Sequence, residues 1–252
     1  MKRSIAFLTV FVLSTGLWAQ GYTHSLDGIK WVKIESKSDI VVKTHSKSQL
    51  LIKGKTTDPI PEKAKGLRLV GDDGTDNTEV GFYVFKDGND LIIRNLRKMD
   101  GGSSEIYLPS NQNISVNSKG LNDIEITGFS GEIEASAEVT GNITILEATG
   151  PITANSNTGN ISVTFNKVNQ AAPISISTAT GEVDITLPTD TPADLSLQST
   201  MGEIYTNFDL SVPDKNGLKA VSTQKINGAI NKGGVKINLN SATGNIYLRK
   251  KQ

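Results

Sequence analysis

The sequence predicts an all-β fold, a single-stranded β-helix (a solenoid) wound in the right-handed sense, and three observations carry that expectation. A phrase of glycine, any residue, then isoleucine or valine keeps returning: Gly131-Glu132-Ile133, Gly141-Asn142-Ile143, Gly150-Pro151-Ile152, Gly159-Asn160-Ile161, Gly181-Glu182-Val183, Gly202-Glu203-Ile204, Gly228-Ala229-Ile230 and Gly244-Asn245-Ile246. Around these glycines apolar and polar residues alternate with period two, and no 3.6-residue apolar stripe follows residue 20. Recurrence at such intervals marks one structural unit laid down repeatedly. Alternation marks a half-buried strand rather than a helix.

The elements follow in order. Lys2 and Arg3, the apolar run Ile5 to Leu13 and the small or polar exit Ser14 to Gln20 form a secretory signal peptide over residues 1–20. That run is too short to span a bilayer, and no later segment is long and apolar enough to do so. Residues 21–104 read as an N-terminal strand and capping region. Strands are expected at Ile29 to Ile34, Asp39 to Lys43, Gln49 to Lys53, Val80 to Phe85 and Leu91 to Leu96, with one helical turn at Pro61 to Lys65. Residues 105–252 are the regular repeats. Ile143 and Ile145, then Ile161, Val163 and Phe165, then Ile174 and Ile176, then Val183, Ile185 and Leu187 each line one face. Branched Cβ atoms suit a pleated strand.

Glycine supplies the corners, where a residue without Cβ accepts a positive φ. Thr140, Thr149, Thr158, Thr180 and Thr243 stand just before glycines, placed to bond a nearby backbone group. Proline ends a strand at Leu108-Pro109 and at Leu187-Pro188. The glycine intervals run 10, 9, 9, 22, 21, 26 and 16, so one coil takes about twenty residues. The chain then makes on the order of eleven layers, a rod roughly 50 Å long. The longer intervals place loops at Asn166 to Pro173, Thr189 to Asp194 and Asn207 to Gly217.

There is no cysteine, so neither a lipid-anchoring thiol nor a disulfide is available. Taking Lys2 and Arg3 from 26 basic residues leaves a slight acidic excess over 26 Asp and Glu, which argues against a nucleic-acid partner. The charge is uneven. Lys30 to Arg68 holds ten basic against four acidic residues, and Gly71 to Gly150 holds five against fourteen. Lys30, Lys33, Lys37, Lys43, Lys47, Lys53 and Lys55 fall on the first strands, and Arg249, Lys250 and Lys251 on the last. Both clusters are expected to block open sheet edges. A basic patch for anionic polysaccharide or lipid is the functional alternative.

The signal peptide, the Lys-rich first strands, the Leu-Pro breaks and the serial Gly-x-Ile corners together resemble the adhesin-like families of bacterial envelopes, the group called DUF4097 and its head-domain relatives. The likeness covers most of residues 28–248. It implies a β-helix in an exported protein of the periplasm, outer-membrane surface or medium, and it brings no catalytic residues. The signal ending Leu17-Trp18-Ala19-Gln20 is similar to those of Bacteroidetes proteins.

Chemistry is sparse. His24 and His45 have no neighbouring His or Cys for a zinc site. Asp72, Asp73, Asp76 and Glu79 cluster in one loop but lack the EF-hand glycine and terminal glutamate, so an ordinary solvated turn is the expectation and no metal or cofactor is assigned. Glu132, Glu182 and Glu203 each follow a corner glycine and share one outer slot with Asn142, Asn160 and Asn245. A polysaccharide lyase or hydrolase would need such acids as a matched pair. The expected function is non-catalytic: an adhesin-like or structural envelope protein whose partner is a glycan or another envelope protein.

Overall fold

The computed structural model describes residues 21–53, 61–72, 74–97, 104–211 and 225–252. The expected signal peptide, Lys55 and Asp73 lie outside them. The chain opens with β1 (Gly21–Ser25), β2 (Trp31–Ser36), β3 (Ile40–His45) and β4 (Gln49–Lys53). A 3-10 turn at Glu62–Ala64 and the short strands β5 (Val70–Gly71) and β6 (Gly74–Thr75) lead to β7 (Phe82–Asp87), β8 (Asp90–Asn95) and β9 (Ser104–Pro109). Then come β10 (Asn113–Ser118), β11 (Ile124–Thr127), β12 (Ile133–Ala137), β13 (Ile143–Ala148), β14 (Ile152–Thr158), β15 (Ile161–Phe165), β16 (Ile174–Thr180) and β17 (Val183–Leu187). The last are β18 (Ala193–Ser199), β19 (Ile204–Thr206), β20 (Lys225–Ile230), β21 (Val235–Ser241) and β22 (Ile246–Lys250). Among the described residues no helix is long and apolar enough to cross a membrane.

Two ten-stranded sheets face each other, and each full turn of chain gives one strand to each. The first sheet runs β7-β8-β2-β10-β12-β14-β16-β21-β18-β20, and the second β1-β4-β9-β3-β11-β13-β15-β17-β22-β19. The fold is a β-solenoid. Parallel in-register pairing stacks like on like. Leu91, Val32, Ile114, Ile133, Ile152, Ile174, Ile237 and Leu195 make one buried column of the first sheet. Ile40, Ile124, Ile143, Ile161, Val183 and Ile246 make one in the second. A single strand could not hide such a face alone; the stack hides it between neighbours above and below.

The layers do not follow the chain. The layer of β2 and β3 lies between that of β8 and β9 and that of β10 and β11. At the other end the layer of β21 and β22 lies between those of β16/β17 and β18/β19. A uniform staircase is therefore the wrong picture at both ends. Eight full layers form among the described residues rather than about eleven, because β1, β4, β7 and β20 run antiparallel as end strands. Nine strand spacings of about 4.8 Å give each sheet a length near 43 Å.

This order also overturns the edge-protection reading of the basic clusters. Lys33 and Lys43 sit on interior strands, as do Arg249 and Lys250 of β22. The true edges are β1, β7, β19 and β20. The basic side chains instead pair across layers: Lys33 with Asp90 at 2.7 Å, Lys43 with Glu105 at 3.1 Å and Lys37 with Asp72 at 3.1 Å. Glu35 takes both Arg94 at 3.3 Å and Lys119 at 3.0 Å. The basic early segment and the acidic later one meet because β8 and β9 dock beside β2 and β3. Each surface pair contributes little, but a wrong neighbour would set like charges opposite each other.

Candidate ligand-binding groove

The corner glycines place everything outside the core. Gly141, Gly159, Gly181, Gly244 and Gly202 stack in that order at one corner. A Cβ on them would lie 2.0, 2.1, 2.2, 1.9 and 2.3 Å from the carbonyl oxygens of Asn122, Gly141, Gly159, Gly181 and Gly244, each in the neighbouring layer. At the opposite corner a Cβ on Gly131 or Gly150 would lie 2.3 or 1.9 Å from the Gln112 or Gly131 oxygen. Of these seven only Gly159 (φ 148°) and Gly181 (φ 144°) have positive φ. Glycine is thus needed chiefly for room between backbones, not for torsional freedom. Gly228 is not a corner: it lies inside the end strand β20, opposite Leu195 of β18. The corner in that part of the chain is Gly234, whose Cβ would meet the Pro192 oxygen at 2.6 Å. The phrase Gly233-Gly234-Val235 marks it in the sequence.

The sequence draws attention to the threonine just before a glycine, and Thr243 does donate to the Ala179 oxygen at 3.3 Å, but a hydroxyl three before the glycine serves the corner repeatedly. Ser156, Thr178, Ser241 and Ser199 are buried in one column. Their hydroxyls donate to the carbonyls of Gly141 (3.0 Å), Gly159 (2.9 Å), Gly181 (2.8 Å) and Gly244 (2.8 Å). One residue past the glycine runs a second ladder. The Asp123, Asn142, Asn160 and Asn245 side chains accept the backbone N–H of Asn142 (2.7 Å), Asn160 (2.9 Å), Glu182 (2.8 Å) and Glu203 (2.9 Å). The Asn slot is therefore structural. Glu182 and Glu203 occupy it with exposed carboxylates, and Glu132 takes the same slot at the opposite corner, its N–H on Asn113 Oδ1 at 2.9 Å.

Where this column ends, a groove of about 430 Å³ opens on the outer face of the second sheet, lined by Thr186, Tyr205, Asn207, Tyr247, Arg249 and Lys250 among others. Tyr205 of β19 stands in register with Tyr247 of β22. Their rings stack at 5.4 Å with 12° between planes, and Tyr205 is 49% exposed. Polar groups fix both rings. Tyr205 donates its hydroxyl to Glu203 Oε2 at 2.5 Å. Tyr247 donates to Glu182 Oε1 at 3.3 Å and accepts from Asn245 Nδ2 at 3.0 Å. The hydrogen bond to Glu203 holds the Tyr205 hydroxyl above its ordinary pKa, so it stays a neutral donor. Arg249 bonds both oxygens of Asp184, at 2.8 and 3.0 Å, and lies 5.1 Å from the Tyr247 ring. The Asp184 hydrogen bond raises the guanidinium pKa further. The two rings lie parallel, one against the other, with Tyr205 of the edge strand β19 half exposed, and fixed donors and acceptors surround them.

The tyrosines are far apart in sequence and become neighbours only because β22 inserts beside β19. Gly202-Glu203-Ile204-Tyr205 and Gly244-Asn245-Ile246-Tyr247 nonetheless carry tyrosine at the same step of the phrase. The remaining candidates lie elsewhere. His24 Nδ1 is 2.6 Å from the Ser25 oxygen, and His45 Nε2 is 2.7 Å from the Gln49 oxygen. Asp76 caps its own turn, accepting the N–H of Thr78, Glu79 and Gly81 at 2.8, 3.0 and 3.0 Å.

A family model, Toastrack DUF4097, matches residues 30–249, which takes in strands of every layer and most of the groove. The chain belongs to the DUF4097 family. Two solved structures are similar to it. A "putative cell adhesion protein" from Clostridium sporogenes is 10% identical, with a TM-score of 0.44, over 92% of this chain and 99% of the other. A "putative adhesin" from Bacteroides fragilis is 13% identical, with a TM-score of 0.38, over 92% and 96%. No curated protein sequence matches the chain. Within this DUF4097 protein, the tyrosine groove joins aromatic surface to directed polar groups at the end of the stack that carries β19.

Proposed function

We propose that this protein is an exported, non-catalytic envelope protein that binds a glycan in the groove floored by Tyr205 and Tyr247. The stacked, half-exposed tyrosine pair carries the reading. The exposed ring of Tyr205 on the edge strand, backed by the stacked Tyr247, accepts the C–H face of a pyranose ring, while the Glu182, Glu203, Asn207 and Arg249 side chains bond its hydroxyls. An open groove on the outside of a sheet suits a segment of an extended chain. Export is supported by the signal-like residues 1–20.

A glycan array followed by calorimetry on the best ligand tests it. Binding is expected, and Tyr205→Ala or Tyr247→Ala should each weaken it about 3- to 10-fold through lost aromatic contact. Binding unchanged by both substitutions, or none to any glycan, would overturn it. Glu182 and Glu203 flank the same groove, so polysaccharide turnover that Glu203→Gln abolishes would replace binding with hydrolysis or lyase chemistry. Fractionation into periplasm, outer membrane and medium tests export; recovery from the cytoplasm alone would refute it.

A further inference from the structure

At the end of the stack opposite the groove, one short run exposes side chains that the fold does not use. Leu67 is 73% exposed, Leu69 42% and Val70 70%. Lys63, Lys65 and Arg68 are interleaved with them and also exposed, with Glu62 the one acid between Pro61 and Val70. The run is hydrogen-bonded locally. The Ala64 oxygen accepts the Leu67 N–H at 2.9 Å, and the Leu69 oxygen accepts the Asp76 N–H at 2.8 Å. Two glycines let it lie close against the body: a Cβ on Gly71 would meet Leu96 Cδ2 at 2.9 Å, and one on Gly74 would meet the Tyr83 ring at 2.3 Å. Asp76, bonded by three backbone N–H groups, fixes the exit toward β7. The chain just past the run thus lies close against the body, while three large apolar side chains are exposed among cations.

We propose that this run is a docking patch for a bilayer surface with anionic headgroups. Leu67, Leu69 and Val70 enter the interfacial zone, and Lys63, Lys65 and Arg68 meet the phosphates. Apolar tips ringed by basic side chains are the pattern of interfacial membrane contact. A soluble polyanion would engage the cations and leave the apolar side chains in water. The patch lies against β7 and the residues after β8, and eight strand spacings, about 40 Å, separate β7 from the layer of β18 and β19. Docking there points the tyrosine groove away from the membrane. Such docking is independent of what the groove binds.

The test uses the chain from Gly21 onward, which holds every described strand and lacks the apolar leader that would itself partition. Co-sedimentation with phosphatidylglycerol-rich vesicles should show binding that phosphatidylcholine vesicles reduce at least tenfold. Lys63→Gln, Lys65→Gln and Arg68→Gln should each weaken it roughly fivefold. The double change Leu67→Ser with Val70→Ser should weaken it about tenfold or more, with circular dichroism unchanged. Tyr205→Ala should leave vesicle binding as it was, which separates this outcome from that of the glycan experiment. Failure to bind phosphatidylglycerol vesicles, or binding indifferent to the leucine and valine changes, would overturn the proposal.

Discussion

Changing Gly141 to alanine tests the stacked corners where torsion plays no part, because Gly141 lacks positive φ. The new Cβ would lie 2.0 Å from the Asn122 oxygen and 2.9 Å from its carbon, both backbone atoms that cannot rotate away. Reaching an ordinary C···O contact of about 3.3 Å needs a displacement of more than about 1 Å. That movement separates two hydrogen-bonded layers. It strains the Ile124 N–H to Asn142 oxygen bond, now 2.9 Å, and the Asn142 N–H to Asp123 Oδ1 bond, now 2.7 Å. Two hydrogen bonds at about 1 kcal/mol each and overpacking of about 1–3 kcal/mol give a loss of about 3–5 kcal/mol. Gly88→Ala is the control. Gly88 has φ 59°, and a Cβ there would meet nothing within 4 Å, so only torsional strain of about 1–2 kcal/mol arises. Urea unfolding followed by circular dichroism reads both. Gly141→Ala proving no more destabilising than Gly88→Ala would refute the close-approach account.

Two further changes probe neighbouring features. Ser156→Ala removes the hydroxyl that satisfies the Gly141 carbonyl and should lower stability by about 1–2 kcal/mol in thermal unfolding; Ala137, which already stands in that column, should tolerate Ala137→Ser with little loss. Glu105 accepts the Tyr107 hydroxyl at 2.9 Å and Lys43 Nζ at 3.1 Å, and these hold its carboxyl below the usual carboxylate range, Tyr107 first. A depressed folded pKa contributes stability above the unfolded value of about 4.3 and loses it as pH falls through the folded value. Glu105 is partly exposed, so Glu105→Gln should lower stability by less than about 1 kcal/mol at neutral pH, and the difference should shrink in acid below about pH 4. A deficit that grows on acidification would contradict the pairing.

Much of the fold is legible in the chain because its signals are local. Period-two alternation at Ile161, Val163 and Phe165 identifies a strand without reference to its neighbours. A glycine two residues before Ile143 or Ile246 identifies a corner. The order of layers is not local. Ile114, Ile133, Ile152 and Ile174 offer the same apolar face, so the core pattern cannot say that Val183 pairs with Ile246 rather than Ile204. The discriminating information is weak surface charge, such as Lys33 opposite Asp90, which becomes readable only once a neighbour is proposed. The groove was hidden for the same reason, since Tyr205 and Tyr247 meet only after β22 inserts. Glu182 and Glu203 were visible as members of one slot, but their hydrogen bonds to tyrosine hydroxyls were not.

The interleaved order can be tested directly by engineered disulfides in this cysteine-free chain. Ser177 on β16 stands opposite Asn240 on β21, and Asn240 stands opposite Gln198 on β18. Neighbouring strands lie within disulfide reach, and a strand two places away does not. Under mild oxidation the Ser177→Cys, Asn240→Cys variant is expected to cross-link and the Ser177→Cys, Gln198→Cys variant to stay reduced. Efficient closure of Ser177→Cys with Gln198→Cys, and none with Asn240→Cys, would mean that the layers follow the chain and that the tyrosine groove is not assembled as described.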